Sequence, residues 1–204
     1  MSLPVLLLLE GFAYVVLLGV LTLLRRERLS MQFAIESIVF TGLVSGMTVL
    51  TGFPTHPALF LALIYLLTMR VRLLVDLATV FARRGQFARA DQLYTLASRL
   101  WPDPPSRLIL LVNQATSLLQ QNKLDEAVAG FTGVLQQAGH GYLGVKYEAA
   151  AHYNLAIAYL RKNMEARAVI EFNAVMDAWP ASQYARRAEA ALEKHRRKDQ
   201  SSTS

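Results

Sequence analysis

Residues 74–102 leave the chain one economical way to hide its apolar groups. Leu74, Leu77, Ala78 and Phe81 precede Gly85; Phe87, Ala90, Tyr94 and Ala97 follow it, and Pro102 closes the stretch. Spacings of three and four on both sides predict two amphipathic helices joined by a tight turn. Ala78 and Ala90 are small where the two backbones approach, and Phe81, Phe87 and Tyr94 are large where a gap needs filling. A pair of this size cannot cover its own apolar face, so it demands stacked neighbours.

The neighbours are in the sequence. The same register returns at Leu111, Ala115, Leu118, Asn122, Leu124, Ala127, Phe131 and Val134. It returns again at His152, Leu155, Ala156, Tyr159, Asn163, Ala168, Phe172, Val175 and Pro180. Asn122 and Asn163 stand where the first unit has Gly85, and Asn tolerates the left-handed conformation such a turn needs. From 71 to 180 the pattern resembles the tetratricopeptide repeat (TPR) family, whose unit of about 34 residues carries W-L-G-Y and then A, F and P. The second unit departs from it with Gly139 in place of the closing Pro, and the third has Glu165 where an aromatic is usual. The repeats are not contiguous: the segments around 102–105 and 139–144 carry extra residues.

The N-terminal third is of another character. The chain of 204 residues is 53% hydrophobic and only 18% charged, and the imbalance is concentrated before residue 70. Leu3–Leu24 is apolar except at Glu10 and long enough to cross a bilayer. Basic residues Arg25, Arg26 and Arg28 follow this run and none precede it, which favours an uncleaved helix over a signal peptide. Residues 33–51 form a second span. Ser37, Thr41 and Ser45 share one of its faces, and Gly42 and Gly46 make a Gly-x-x-x-Gly step beside them, which predicts a helix enclosed by others with hydroxyls bonding across. Pro54 and Pro57 force a hairpin into a third apolar helix from 58 to 69, which is expected to run on past Arg70 and Arg72 into the first repeat helix.

The expected fold is therefore all-α: three transmembrane helices in residues 1–70, then a three-repeat TPR solenoid with a C-terminal capping helix in 71–198, and a disordered tail in 199–204. Arg25, Arg26 and Arg28 share a side with Arg70, Arg72, Arg83 and Arg84, while the Pro54–Pro57 turn has no Lys or Arg. The positive-inside rule then puts the N-terminus outside and the repeats in the cytoplasm of a multi-pass inner-membrane protein. Glu10 and Glu36 differ in depth by roughly 15 Å at about 1.5 Å per residue, so they do not pair with each other. Glu36 lies near enough to the inner edge to reach Arg25, Arg28 or water. Glu10 is expected to meet a polar group of a partner or to stay protonated.

The TPR resemblance implies a binding groove on the first helix of each unit. Its positions would be Arg72, Val75, Thr79 and Arg83; then Val112, Thr116 and Leu119; then Tyr153, Ile157, Leu160 and Arg161. Family members that bind chaperone tails place Lys, Asn and Arg there to clamp a carboxylate. This chain has Val75, Thr79, Thr116, Tyr153 and Ile157 at the matching places, so that clamp is missing. The groove reads as apolar with basic edges, suited to an apolar strand or amphipathic helix carrying acidic residues.

No Gly-rich phosphate loop, metal-ligand spacing or nucleophile with a His and an acid is present, so no enzyme and no cofactor is expected. There is no Cys, which excludes thiolate-held metals and disulfides in this chain. In a protein with membrane helices the formal net charge of +6 points to anionic lipid headgroups and not to nucleic acid. The basic end 194–198 complements the dipole of the capping helix or, alternatively, meets such headgroups, and the partners expected are other protein subunits, integral membrane ones included. The function expected from these features is a scaffold or adaptor in the assembly or organisation of a membrane protein complex. The alternative is a permanent accessory subunit of a respiratory or photosynthetic membrane complex.

Overall fold

The computed structural model describes residues 2–24, 30–52, 54–138 and 143–202. Among them are nine helices and no strand: α1 Leu3–Leu24, α2 Met31–Thr51, α3 Pro57–Arg83, α4 Phe87–Arg99, α5 Pro104–Gln120, α6 Leu124–Ala138, α7 Val145–Arg161, α8 Glu165–Ala178 and α9 Gln183–Ser202. Each of α1, α2 and α3 is long and apolar enough to cross a membrane.

The three apolar helices pack on one another through a narrow seam. Leu7 of α1 and Phe60 and Ile64 of α3 form its buried centre, with Tyr14, Phe40 and Val44 against them. The serine and threonine face of α2 points into this seam: Ser37, Thr41, Ser45 and Thr48 are all buried. Most of those hydroxyls do not bond across helices. Ser37, Thr41 and Thr48 donate to the carbonyls of Phe33, Ser37 and Val44 in their own helix, at 2.7–2.9 Å. A hydroxyl that satisfies itself on the preceding turn stays small and lets a neighbour approach. Ser45 is different: its Oγ donates to the Pro4 carbonyl of α1 at 3.1 Å. Tyr14 and Thr68 add a hydroxyl pair at 2.6 Å between α1 and α3.

The close approach is made at Gly11, not at the Gly-x-x-x-Gly step. A Cβ on Gly11 would sit 2.5 Å from Thr41 Cγ2 and 2.9 Å from Thr41 Cβ, whereas one on Gly42 or Gly46 would meet nothing within 4 Å. The expectation that α2 is enclosed by the chain's own helices holds for its hydroxyl face only; the glycine face looks outward. Gly11→Leu should therefore cost about 2 kcal/mol, as overpacking of a tight contact does. Thermal unfolding in detergent reads the loss, and Gly42→Leu should leave the midpoint where it was.

At the far end of the seam α2 stops at Gly52, left-handed at φ 65°. Pro57 opens α3, and His56 Nδ1 accepts from the Ala58 amide at 3.3 Å. From there α3 runs without a break to Arg83, so the expected boundary at 70 falls inside one continuous helix.

Beyond residue 70 the chain is a row of antiparallel pairs, α3–α4, α5–α6 and α7–α8. The three turns are built alike. Gly85, Asn122 and Asn163 have φ of 74°, 60° and 57°. In each, the next amide reaches back to a carbonyl of the last helical turn: Gln86 to Phe81 at 3.0 Å, Lys123 to Leu118 at 3.0 Å and Met164 to Tyr159 at 2.9 Å. Asn takes the left-handed position at small cost, so two turns need no glycine. The core repeats too. Ala90, Ala127 and Ala168 are fully buried, and Tyr94, Phe131 and Phe172 lie one helical turn beyond each. Gly130 brings α6 against α5, where an added Cβ would lie 3.0 Å from the Ala115 Cβ.

α9 covers the last pair. Ala185 and Ala188 are buried in the shared core, and the Tyr184 ring lies 5.7 Å from that of Tyr153. α9 continues through Ser202, so residues 199–202 of the expected tail are helical, and 203–204 lie outside the described residues. No proline or glycine lies between 183 and 202 to end it. The expected connection 139–144 and its His140 lie largely outside the described residues, as do Arg25, Arg26 and Arg28.

Candidate partner-binding surface

Among the places where polar groups meet are the joint between the apolar helices and the repeats, and the face on which α3, α5 and α7 meet.

The joint is centred on Glu36. Of its expected partners, Arg25 and Arg28 lie outside the described residues; among the described residues the carboxylate is taken by Arg70. Arg70 donates through both terminal nitrogens, NH1 to Oε2 at 2.6 Å and NH2 to Oε1 at 2.8 Å. Such a two-pronged pair has the strongest geometry open to arginine and a carboxylate. Gln32, one turn earlier on α2, donates to Glu36 Oε1 at 2.8 Å and to the Trp101 carbonyl at 2.9 Å. Arg70 Nε donates to the Leu100 carbonyl at 3.2 Å, and NH1 also reaches the Leu67 carbonyl at 2.6 Å. One ion pair thus ties α2 and α3 to the end of α4. Arg70 read in sequence as the point where a helix leaves lipid; its pairing was not visible there, because its 34-residue distance from Glu36 carries no local period.

Glu10 fares differently. Its Oε2 is buried and has no hydrogen-bond partner among the described residues. It does not meet Glu36, which is committed to Arg70.

The second place holds the expected groove. Its eleven residues divide. Val75, Val112 and Leu119 are core residues. Tyr153 packs its ring 5.9 Å from Phe172 and 5.7 Å from Tyr184, joining α7 to α8 and α9. Ile157 and Leu160 are part-buried against the same core. Arg72, Thr79 and Thr116 are half-buried, and Arg83 and Arg161 are exposed.

What crosses between the first helices is polar. Thr79 Oγ1 lies 3.2 Å from Asn113 Oδ1, Asn154 Nδ2 donates to Thr116 Oγ1 at 3.2 Å, and Arg161 donates to the Leu119 carbonyl at 3.0 Å. Asn113 and Asn154 were missed in the sequence. Both are poor helix formers in mid-helix among apolar residues, which was the available signal. The face is therefore a ladder of amides and hydroxyls edged by arginine, less apolar than expected. Behind it, Tyr94 approaches Thr79 at 3.3 Å. Burial pushes the Tyr94 phenol above its ordinary value, although the Thr79 hydrogen bond opposes this, so it remains a neutral hydroxyl.

A cavity of about 270 Å³ opens among α1, α2, α3, α5 and α7. Leu18, Leu21, Phe33, Met69, Arg72, Asp76, Asp103, Ser106, Ile109 and Tyr147 are among the residues that line it. Asp103 also caps α5 by accepting from the Ser106 amide at 3.1 Å. Among the described residues no group of three or more His, Cys, Asp or Glu could hold a metal ion.

No protein-family model matches the chain, and no curated protein matches its sequence. In structure it is similar to the N-terminal domain of stress-induced protein-1 (STI-1) from C. elegans, with a TM-score of 0.49 and 18% identity over 61% of this chain and 95% of that one.

Proposed function

We propose that the chain is a membrane-anchored scaffold that holds partner proteins during the assembly or organisation of a membrane protein complex. α1, α2 and the first half of α3 span an inner membrane, with the N-terminus outside and the repeats in the cytoplasm. The observation that carries this reading is the continuity of α3, clamped by Glu36 and Arg70 to α2 and to the end of α4. A flexible tether would let a binding domain wander. A shared helix with a bidentate lock holds the ladder face at a fixed height and angle above the span, which is useful only if the partner is itself held in that membrane.

The partner chemistry follows from the ladder. Amides and hydroxyls on Thr79, Asn113, Thr116 and Asn154 pair with a peptide backbone, and Arg83 and Arg161 meet acidic side chains. An extended, acidic segment of another subunit fits this face. The outward glycines of α2, Gly42 and Gly46, favour a second reading as a permanent accessory subunit, since they leave a close-packing surface for a helix of another chain.

Mild detergent extraction followed by native separation tests both readings. The chain should migrate with partner subunits in a larger complex, and Arg83→Glu with Arg161→Glu should release it while its helical content is unchanged. Migration as a lone protein, or indifference to the charge reversal, would remove the scaffold reading. A fixed ratio in the mature complex selects the permanent subunit; presence only in immature particles selects the assembly factor.

A further inference from the structure

Trp101 is the most exposed large aromatic side chain among the described residues, at 84%, and it sits in the left-handed region at φ 47°. That conformation is strained for a bulky residue, so something must hold it. The holders are Arg70 and Gln32, which take the carbonyls of Leu100 and Trp101. The strain fixes the backbone inward and leaves the indole outside, an arrangement with no use in packing the repeat core.

The depth of those holders decides what the indole meets. From Pro57 to Arg70, α3 rises roughly 20 Å, and from Thr51 back to Gln32, α2 rises roughly 28 Å, at about 1.5 Å per residue. A hydrocarbon core is about 30 Å thick. Gln32 therefore stands at the inner edge of the bilayer, with Arg70 below it reaching up to the same turn, so the turn between α4 and α5 is held near that edge, if the chain spans as proposed above, on which this inference rests. Exposed Arg99 and Arg107 flank the indole in the last turn of α4 and the first turn of α5. An exposed indole at that level, with arginines on the helix turns before and after it in sequence, meets glycerol and phosphate groups.

We infer that the α4–α5 turn is a lipid-headgroup anchor. Trp101 seats in the interface of the same membrane that α1–α3 cross, Arg99 and Arg107 engage phosphates, and the repeat array is thereby pinned at a second point.

The chain contains two tryptophans, Trp101 and Trp179, so Trp179→Phe makes Trp101 the sole indole reporter. The full chain is reconstituted in vesicles of phosphatidylcholine and phosphatidylglycerol with a quencher carried near the headgroup. The expected result is a blue-shifted emission, with more than half of it lost to the shallow lipid quencher and little to aqueous iodide. Iodide quenching as free as that of tryptophan in solution, with no lipid quenching, would overturn the anchor. Should Trp179→Phe not fold, the difference between the natural chain and Trp101→Phe yields the same spectrum, because Trp101 lies outside the core. Flotation of the vesicles in alkaline carbonate separates the two claims. A chain that floats with a water-exposed Trp101 sinks the anchor alone, and one that does not float sinks the spanning reading with it.

Discussion

Arg70→Leu should cost roughly 3 kcal/mol, at the low end for breaking a buried ion pair because both side chains keep some contact with solvent. Arg70 and Glu36 expose 22% and 25% of their side chains. Removing the guanidinium leaves the Glu36 carboxylate, among the described residues, with Gln32 alone and frees the Leu100 carbonyl. Glu36→Leu should cost less, since Arg70 keeps the Leu100 and Leu67 carbonyls. The double variant Glu36→Leu with Arg70→Leu should recover part of the loss, because the uncompensated charge has gone. Thermal unfolding in detergent measures all three. Limited proteolysis between 99 and 104 should also speed up in Arg70→Leu, because that turn has lost one of its two holders. If the double variant is as unstable as the sum of the single ones, the pair is not coupled and the joint is not a clamp.

Phe131→Ala should be the most damaging change in the repeats, at about 3–5 kcal/mol for a fully enclosed phenylalanine. Its ring is 0% exposed and sits in the middle pair, so both neighbours lose their contact surface. Stability in a stacked array depends on nearest-neighbour interfaces, and a hole in the middle unit separates α3–α4 from α7–α9. Hydrogen exchange should show lost protection in α5, α6 and α7 while amides of α1 and α2 stay protected. Phe131→Leu fills most of the space and should cost about 1.5 kcal/mol or less. Phe172→Ala should damage α8 and α9 but leave α4 and α5 intact.

The two variants also mark how far the sequence reached. Phe131 was legible because it belongs to a local period. It lies four residues after Ala127, as Tyr94 lies four after Ala90 and Phe172 four after Ala168, and three copies of one spacing reveal a packing scheme. The left-handed Asn122 and Asn163 were legible for the same reason, standing where Gly85 stands. The apolar runs were legible from length alone. Arg70 was legible only as a charge at the end of an apolar run.

The groove shows the limit most plainly. A helix turns 100° per residue, so a one-residue error in frame turns core into surface. Val75, Val112 and Leu119 fell into the core, and Asn113 and Asn154 emerged on the shared face. The glycines of α2 show the same limit. Gly42 and Gly46 formed the better motif, yet Gly11 makes the tight contact, since a motif records what could approach and not which face another helix chooses.

The sequence by itself determined that the described residues are built of helices, that the first third is apolar and the remainder repetitive, and where the turns at Gly85, Asn122 and Asn163 fall. Those are properties of local spacing and residue size. Only the tertiary structure decided that Glu36 belongs to Arg70, that Gly11 meets Thr41, that Trp101 is held outward, and which face the first helices share. Each of those depends on the rotation of one helix against another, and that rotation is set by packing across tens of residues, which no period along the chain records.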